Sequence, residues 1–167
     1  MKKLFLLLLL FGLSATMLSA QEKPVVILLM RHAEKATTGG ADPDLSEKGK
    51  GFAAMLSTHF AELKVDAVYS TNYKRTIQTV TPLAVKNGVE VKVYDAGKSA
   101  ELVKRIADSQ AQVVLVSGHS NTINLVFNEL VKSTQIQALS DEEYGKVFVI
   151  YYNKANPANS AFVKLSL

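Results

Sequence analysis

Two stretches of this chain, PVVILLM at 24–30 and the VVLV centre of QVVLVSG at 112–118, are apolar at consecutive positions rather than at every second one. A strand with one wet face alternates, whereas an unbroken apolar run suits a strand covered on both faces. That requirement points to a mostly parallel sheet with helices packed on each side. The intervening chain agrees. VDAVYS (65–70) and VEVKVYD (89–95) read as further strands. Helical spacing appears over 45–63, 73–88, 99–108 and 120–131. Ser46 and Ser120 are N-cap candidates, and Asn87-Gly88 is a C-terminal stop. Pro82 predicts a kink or restart inside the second helix. KVFVIYYN (146–153) and SAFVKLSL (160–167) predict a closing hairpin around Asn156-Pro157. The expected fold class is α/β, a three-layer α/β/α sandwich around a mostly parallel sheet.

The first twenty residues stand apart from this pattern. A short basic start (MKK), a ten-residue apolar core (LFLLLLLFGL) and a small, polar end (SATMLSA) have the layout of a secretory signal peptide. The apolar core is short of the ~20 residues that span a bilayer. An uncleaved anchor is the alternative. The expected division is a leader at 1–20 and one domain at 21–167, a length that can bury a core without disulfides or metals. The chain has no cysteine, which removes thiolate chemistry and a lipid anchor on cysteine. Net charge is +4, falling to about +2 once Lys2 and Lys3 leave. No clustered basic face suggests a nucleic-acid partner.

The polar residues that end the buried strands carry the chemistry. One run stops at Arg31-His32, the second shortly before Arg75, the third at Gly118-His119. Open α/β sheets bind ligands beyond the carboxyl ends of their strands. Two His and two Arg gathered there form a cationic cluster that is costly to bury without a partner, and an anion is the natural one. Arg offers a planar fork matched to phosphate oxygens, and the helix start after SGHS adds backbone N–H groups. An imidazole in such a pocket can act as a nucleophile and form a covalent intermediate, while the cations hold charge on the transferred group. The rival is a metal held by His32, Glu34 and His119. Arg31 and Arg75 would repel it, so no metal is expected.

MRHAEK, YSTNYKRTIQT and VSGHSNTI resemble the three signature segments of the histidine phosphatase superfamily, the phosphoglycerate mutase-like clan. LSEKGKGFA resembles the Leu-Ser/Thr-x-x-Gly helix start that follows the first signature. The resemblance runs from Val25 to about Val131, and the length and GHSNT are most similar to the small secreted members. It implies a phosphoglycerate mutase-like fold, with His32 as the phosphorylated nucleophile. Arg31, Arg75 and His119 complete the phosphate pocket, and no metal or organic cofactor is needed. Many members carry their general acid in a Leu-x-Glu triplet between the second and third signatures; this chain has none there. Asp95 falls in that interval, and Glu34, two residues from His32, is the rival acid.

The expected function is a phosphomonoester hydrolase working through a phosphohistidine on a small or envelope-derived phosphorylated substrate. The alternatives are a non-catalytic phosphate-binding module, a mutase-like activity, or a protein-phosphohistidine phosphatase. The leader implies export, to the periplasm or beyond the cell in a bacterial envelope, without stable membrane insertion after cleavage.

Overall fold

The computed structural model describes residues 23–167; the expected leader at 1–20 lies outside them. Six strands form one sheet: β1 (Val25–Arg31), β2 (Ala67–Thr71), β3 (Val91–Tyr94), β4 (Val113–Gly118), β5 (Lys146–Tyr152) and β6 (Ala161–Ser166). Their order is β3-β2-β4-β1-β5-β6. The first four are mutually parallel, and β5 and β6 close the sheet as the expected antiparallel hairpin. β1 lies between β4 and β5, so both of its edges are paired and both of its faces are covered.

The covering helices are α1 (Glu47–His59), α2 (Lys74–Asn87), α3 (Ser99–Asp108) and α4 (Ile123–Leu130). Side chains of β1 divide between the two faces, as strand geometry demands. Ile27 and Leu29 pack with Leu102, Ile106 and Phe127 from α3 and α4. Leu28 and Met30 pack with Leu56, Val80 and Leu83 from α1 and α2. The molecule is therefore the expected α/β/α sandwich, with the unbroken apolar runs at its centre.

Several boundaries differ from the sequence expectation. α1 stops at His59, because 60–63 winds into turns closed by Ala61 N–H to Thr58 O and Leu63 N–H to Phe60 O. α2 runs through Pro82 without restarting, since buried residues continue on both sides of it, from Thr76 to Ala84. Gly88 ends this helix in the left-handed region at φ 66°, as expected of Asn87-Gly88. α4 begins at Ile123 rather than near Ser120. The His119 N–H donates to Thr122 Oγ1 (2.9 Å), folding 119–122 into a turn and leaving Ser120 outside the helix.

Candidate active site

β1, β2 and β4 are neighbours in the sheet, so their carboxyl ends bring Arg31, Thr71 and Gly118 side by side. His32 directly follows β1, and its N–H donates to Gly118 O at 2.9 Å. The side chain is buried. Its Nδ1 lies 2.7 Å from Ala33 O. A carbonyl only accepts, so Nδ1 carries the proton and the lone pair is on Nε2. Ala33 is itself anchored through its N–H, which donates to Thr79 Oγ1 (2.8 Å), and that hydroxyl donates to Arg75 O (2.7 Å). A helix residue thus anchors the residue whose carbonyl sets the tautomer of His32.

His119 follows β4. Its ring centroid is 5.5 Å from that of His32. Nε2 lies 2.9 Å from Thr71 Oγ1, and Nδ1 lies 3.5 Å from Arg75 Nη2. Arginine can only donate, so Nδ1 is the acceptor and Nε2–H donates to Thr71. The Thr71 hydroxyl then donates to Thr76 Oγ1 (3.0 Å), whose own hydrogen goes to the carbonyl of Thr71 or Tyr73. Both histidines are held neutral, each pushed down to about 4. Burial is the main cause for each. For His32 the Ala33 hydrogen bond works against this, with Arg31 and Arg75 reinforcing burial. For His119, Arg75 and Arg31 reinforce it and Asp42 opposes it. An unprotonated imidazole is the form able to attack phosphorus.

The arginines are placed differently from one another. Arg31 is 5% exposed. Its Nη1 donates to the carbonyls of Ser140, Asp141 and Glu143 (2.9, 3.0 and 3.3 Å), its Nη2 lies 3.5 Å from Asp141 Oδ1, and the guanidinium sits 4.2 Å from the Tyr144 ring centroid. Arg31 therefore pins the chain between α4 and β5 over the site. Arg75 stacks on Tyr73 at 4.6 Å and reaches Asp42 Oδ1 at 3.5 Å. The Nε of each arginine is buried without a partner. Buried donors of this kind are costly and call for an acceptor. Arg31, His32, Tyr73, Arg75, His119 and Asp141 wall a cavity of ≈ 370 Å³.

Four of the six expected site residues, Arg31, His32, Arg75 and His119, thus come together. The two expected acids do not join them. Asp95 is exposed, follows the edge strand β3, and turns back to accept the Gly97 N–H at 2.9 Å. Glu34 accepts from Ser46 Oγ (2.8 Å) and pairs with Lys48 (3.4 Å); the Ser46 hydroxyl is the main cause that lowers its carboxyl below the usual range. No group of three metal-ligating side chains occurs among the described residues. Thr71, Tyr73, Thr79, Asp42, Asp141 and Tyr144 were not foreseen. Thr79 had a visible signal, four residues after Arg75 on one helix. Asp141 had none, since it lies in irregular chain.

Two imidazoles and two guanidinium groups thus gather at the carboxyl edge of a mostly parallel α/β sheet, an arrangement whose chemistry suits a tetrahedral anion. The model of the histidine phosphatase superfamily (branch 1) matches residues 27–98 of this chain. Phosphoserine phosphatase 1 of Hydrogenobacter thermophilus is 37% identical over 73 residues, which cover 40% of this chain and 35% of that relative. Two solved structures share the fold. The protein histidine phosphatase SixA complexed with tungstate aligns with a TM-score of 0.70 at 15% identity, covering 85% of this chain and 97% of that one. A mycobacterial glucosyl-3-phosphoglycerate phosphatase aligns at 0.64 and 14% identity, covering 87% and 98%.

Proposed function

We propose that the protein is a metal-independent phosphomonoester hydrolase that transfers a phosphoryl group to His32 Nε2 and then to water. The observation that carries this reading is the 2.7 Å contact from His32 Nδ1 to Ala33 O, which leaves the Nε2 lone pair available. In the first step Nε2 attacks phosphorus and the ester oxygen leaves with the bonding pair. In the second, water attacks the phosphohistidine, the N–P bond returns its pair to Nε2, and phosphate departs. The Arg75 Nε donor and the imidazole of His119, protonated as the dianion arrives, hold the non-bridging oxygens. A leader at 1–20 would export the enzyme, so a phosphorylated small molecule or envelope component is the proposed substrate. The names of the phosphatases it resembles support phosphoester chemistry.

The test is turnover of p-nitrophenyl phosphate and a panel of phosphorylated metabolites, with and without EDTA. Turnover is expected to survive chelation and to disappear in His32→Ala. Mass spectrometry after a quench that avoids acid should find one phosphoryl group on His32. An active His32→Ala variant overturns the mechanism, and EDTA-sensitive activity restored by a divalent ion overturns metal independence.

A further inference from the structure

Expulsion of an alkoxide needs a proton, and neither carboxylate expected from the sequence reaches the pocket. The walls of two adjoining cavities supply a third. The first is the ≈ 370 Å³ cavity that holds both histidines; the second, of ≈ 490 Å³, is walled by Ala33, Glu34, Lys48, Phe52 and Tyr144. Asp141 belongs to both walls. Among the described residues it is the one carboxylate in the wall of the histidine cavity. With phosphorus in the first cavity and the organic remainder in the second, the bridging oxygen crosses where Asp141 stands. Glu34 and Glu142 line the second cavity alone, and Asp42 and Asp95 line neither.

We propose that Asp141 is the general acid and base of the reaction, a role resting on the phosphohistidine reading above. Its position is fixed from both ends. The main-chain carbonyl accepts from Arg31 Nη1 (3.0 Å), while Oδ1 accepts from Ser120 Oγ (3.3 Å) and faces Arg31 Nη2 (3.5 Å). The side chain itself is 88% exposed, so it can turn about its own bonds without unpacking anything. A phosphate ester that arrives at Arg31 as its monoanion carries one proton on a non-bridging oxygen, and passing that proton to the Asp141 carboxylate relieves the repulsion between the two anions. The substrate thereby supplies the proton that the first step consumes. As the P–O bond breaks, the Asp141 O–H gives its proton to the leaving oxygen and becomes carboxylate. In the second step that carboxylate takes a proton from the attacking water, which restores the acid.

The experiment compares Asp141→Asn with wild type on an alkyl phosphate and on p-nitrophenyl phosphate, whose leaving group needs little protonation. Asn keeps the size of the side chain and an acceptor for Ser120, so unfolding midpoints should match. Hydrolysis of the alkyl ester should fall by about 10²-fold or more, and that of the aryl ester only a few-fold. Asp141→Glu should recover part of the alkyl activity. Asp95→Asn and Glu34→Gln should keep the wild-type ratio of the two rates. An equal loss on both esters, no loss on the alkyl ester, or the differential appearing in Asp95→Asn or Glu34→Gln instead overturns the role of Asp141. If wild type phosphorylates His32 from p-nitrophenyl phosphate, the phosphohistidine reading stands whatever Asp141→Asn does. If wild type hydrolyses neither ester and His32 takes no phosphoryl group, both proposals fall together.

Discussion

His32 and His119 show how a side chain's surroundings choose its chemistry. Both rings are neutral because burial penalises the cation and two guanidinium groups repel it. Each has its proton assigned by a group that accepts it: Ala33 O for His32 and Thr71 Oγ1 for His119. The cost appears in acid. Folded values near 4 lie below the unfolded value of 6.5, so the unfolded chain binds more protons between those limits. Stability from these groups is complete above pH 6.5 and is lost as pH falls towards 4. Urea unfolding of the free protein should show a loss of about 3–4 kcal/mol between pH 7 and 5 for the two rings together. Saturating inorganic phosphate should flatten the slope, because a bound dianion favours the imidazolium form. A free protein equally stable at pH 5 and pH 7 would show that these rings are not held neutral.

The approach of α1 to the chain after β1 depends on two residues of the LSEKG segment. Ser46 caps the helix by accepting the Gly49 N–H at 3.0 Å, and its hydroxyl donates to Glu34. Its own N–H donates to Glu34 O at 2.9 Å. Gly49 packs so closely that a Cβ there would lie 2.1 Å from Glu34 O. This gives the Leu-Ser-x-x-Gly pattern a physical meaning: a cap that grips the segment after the nucleophile, and a glycine that lets the helix reach it. Gly49→Ala must push backbone against backbone, so it should cost at least about 1–3 kcal/mol. Because Glu34 is two residues from His32, turnover should fall as well. Chemical denaturation with activity measured on the folded fraction checks both parts. A methyl group at Gly51, on the same helix, would meet nothing within 4 Å, so Gly51→Ala serves as the neutral comparison.

Topology accounts for why one edge of the whole molecule carries the site. β1 and β4 lie side by side although β2 and β3 come between them in the chain, and β2 flanks β4 on the other side. Their parallel direction points three polar exits the same way. Among the described residues no helix is long and apolar enough to cross a membrane. If the leader is cleaved after Ala20, the protein recovered from its native envelope should begin at Gln21. N-terminal sequencing or intact-mass measurement decides this, and a retained Met1 in the membrane fraction would favour an anchor.

The apolar runs at 24–30 and 113–116 already implied a sheet buried on both faces, because a strand with one wet face would alternate. The positions of Arg31, His32 and His119 at the ends of those runs, and of Arg75 shortly after the strand at 65–70, implied a cationic edge. Local capping signals at Ser46 and Gly88 were equally legible, since they act within a few residues of themselves. Long-range geometry was not. Spacing cannot say that β4 rather than β2 neighbours β1, that Thr71 accepts from His119 across the sheet, or that Asp95 ends on the edge strand and caps its own turn. Nor could the segment after α4 be read. It has no periodic pattern, and Asp141 reaches the pocket only because Arg31, more than a hundred residues earlier, donates to three of its carbonyls. Burial pattern is a property of neighbouring residues and can be read along the chain; the partner of a buried charge is chosen by the folded molecule.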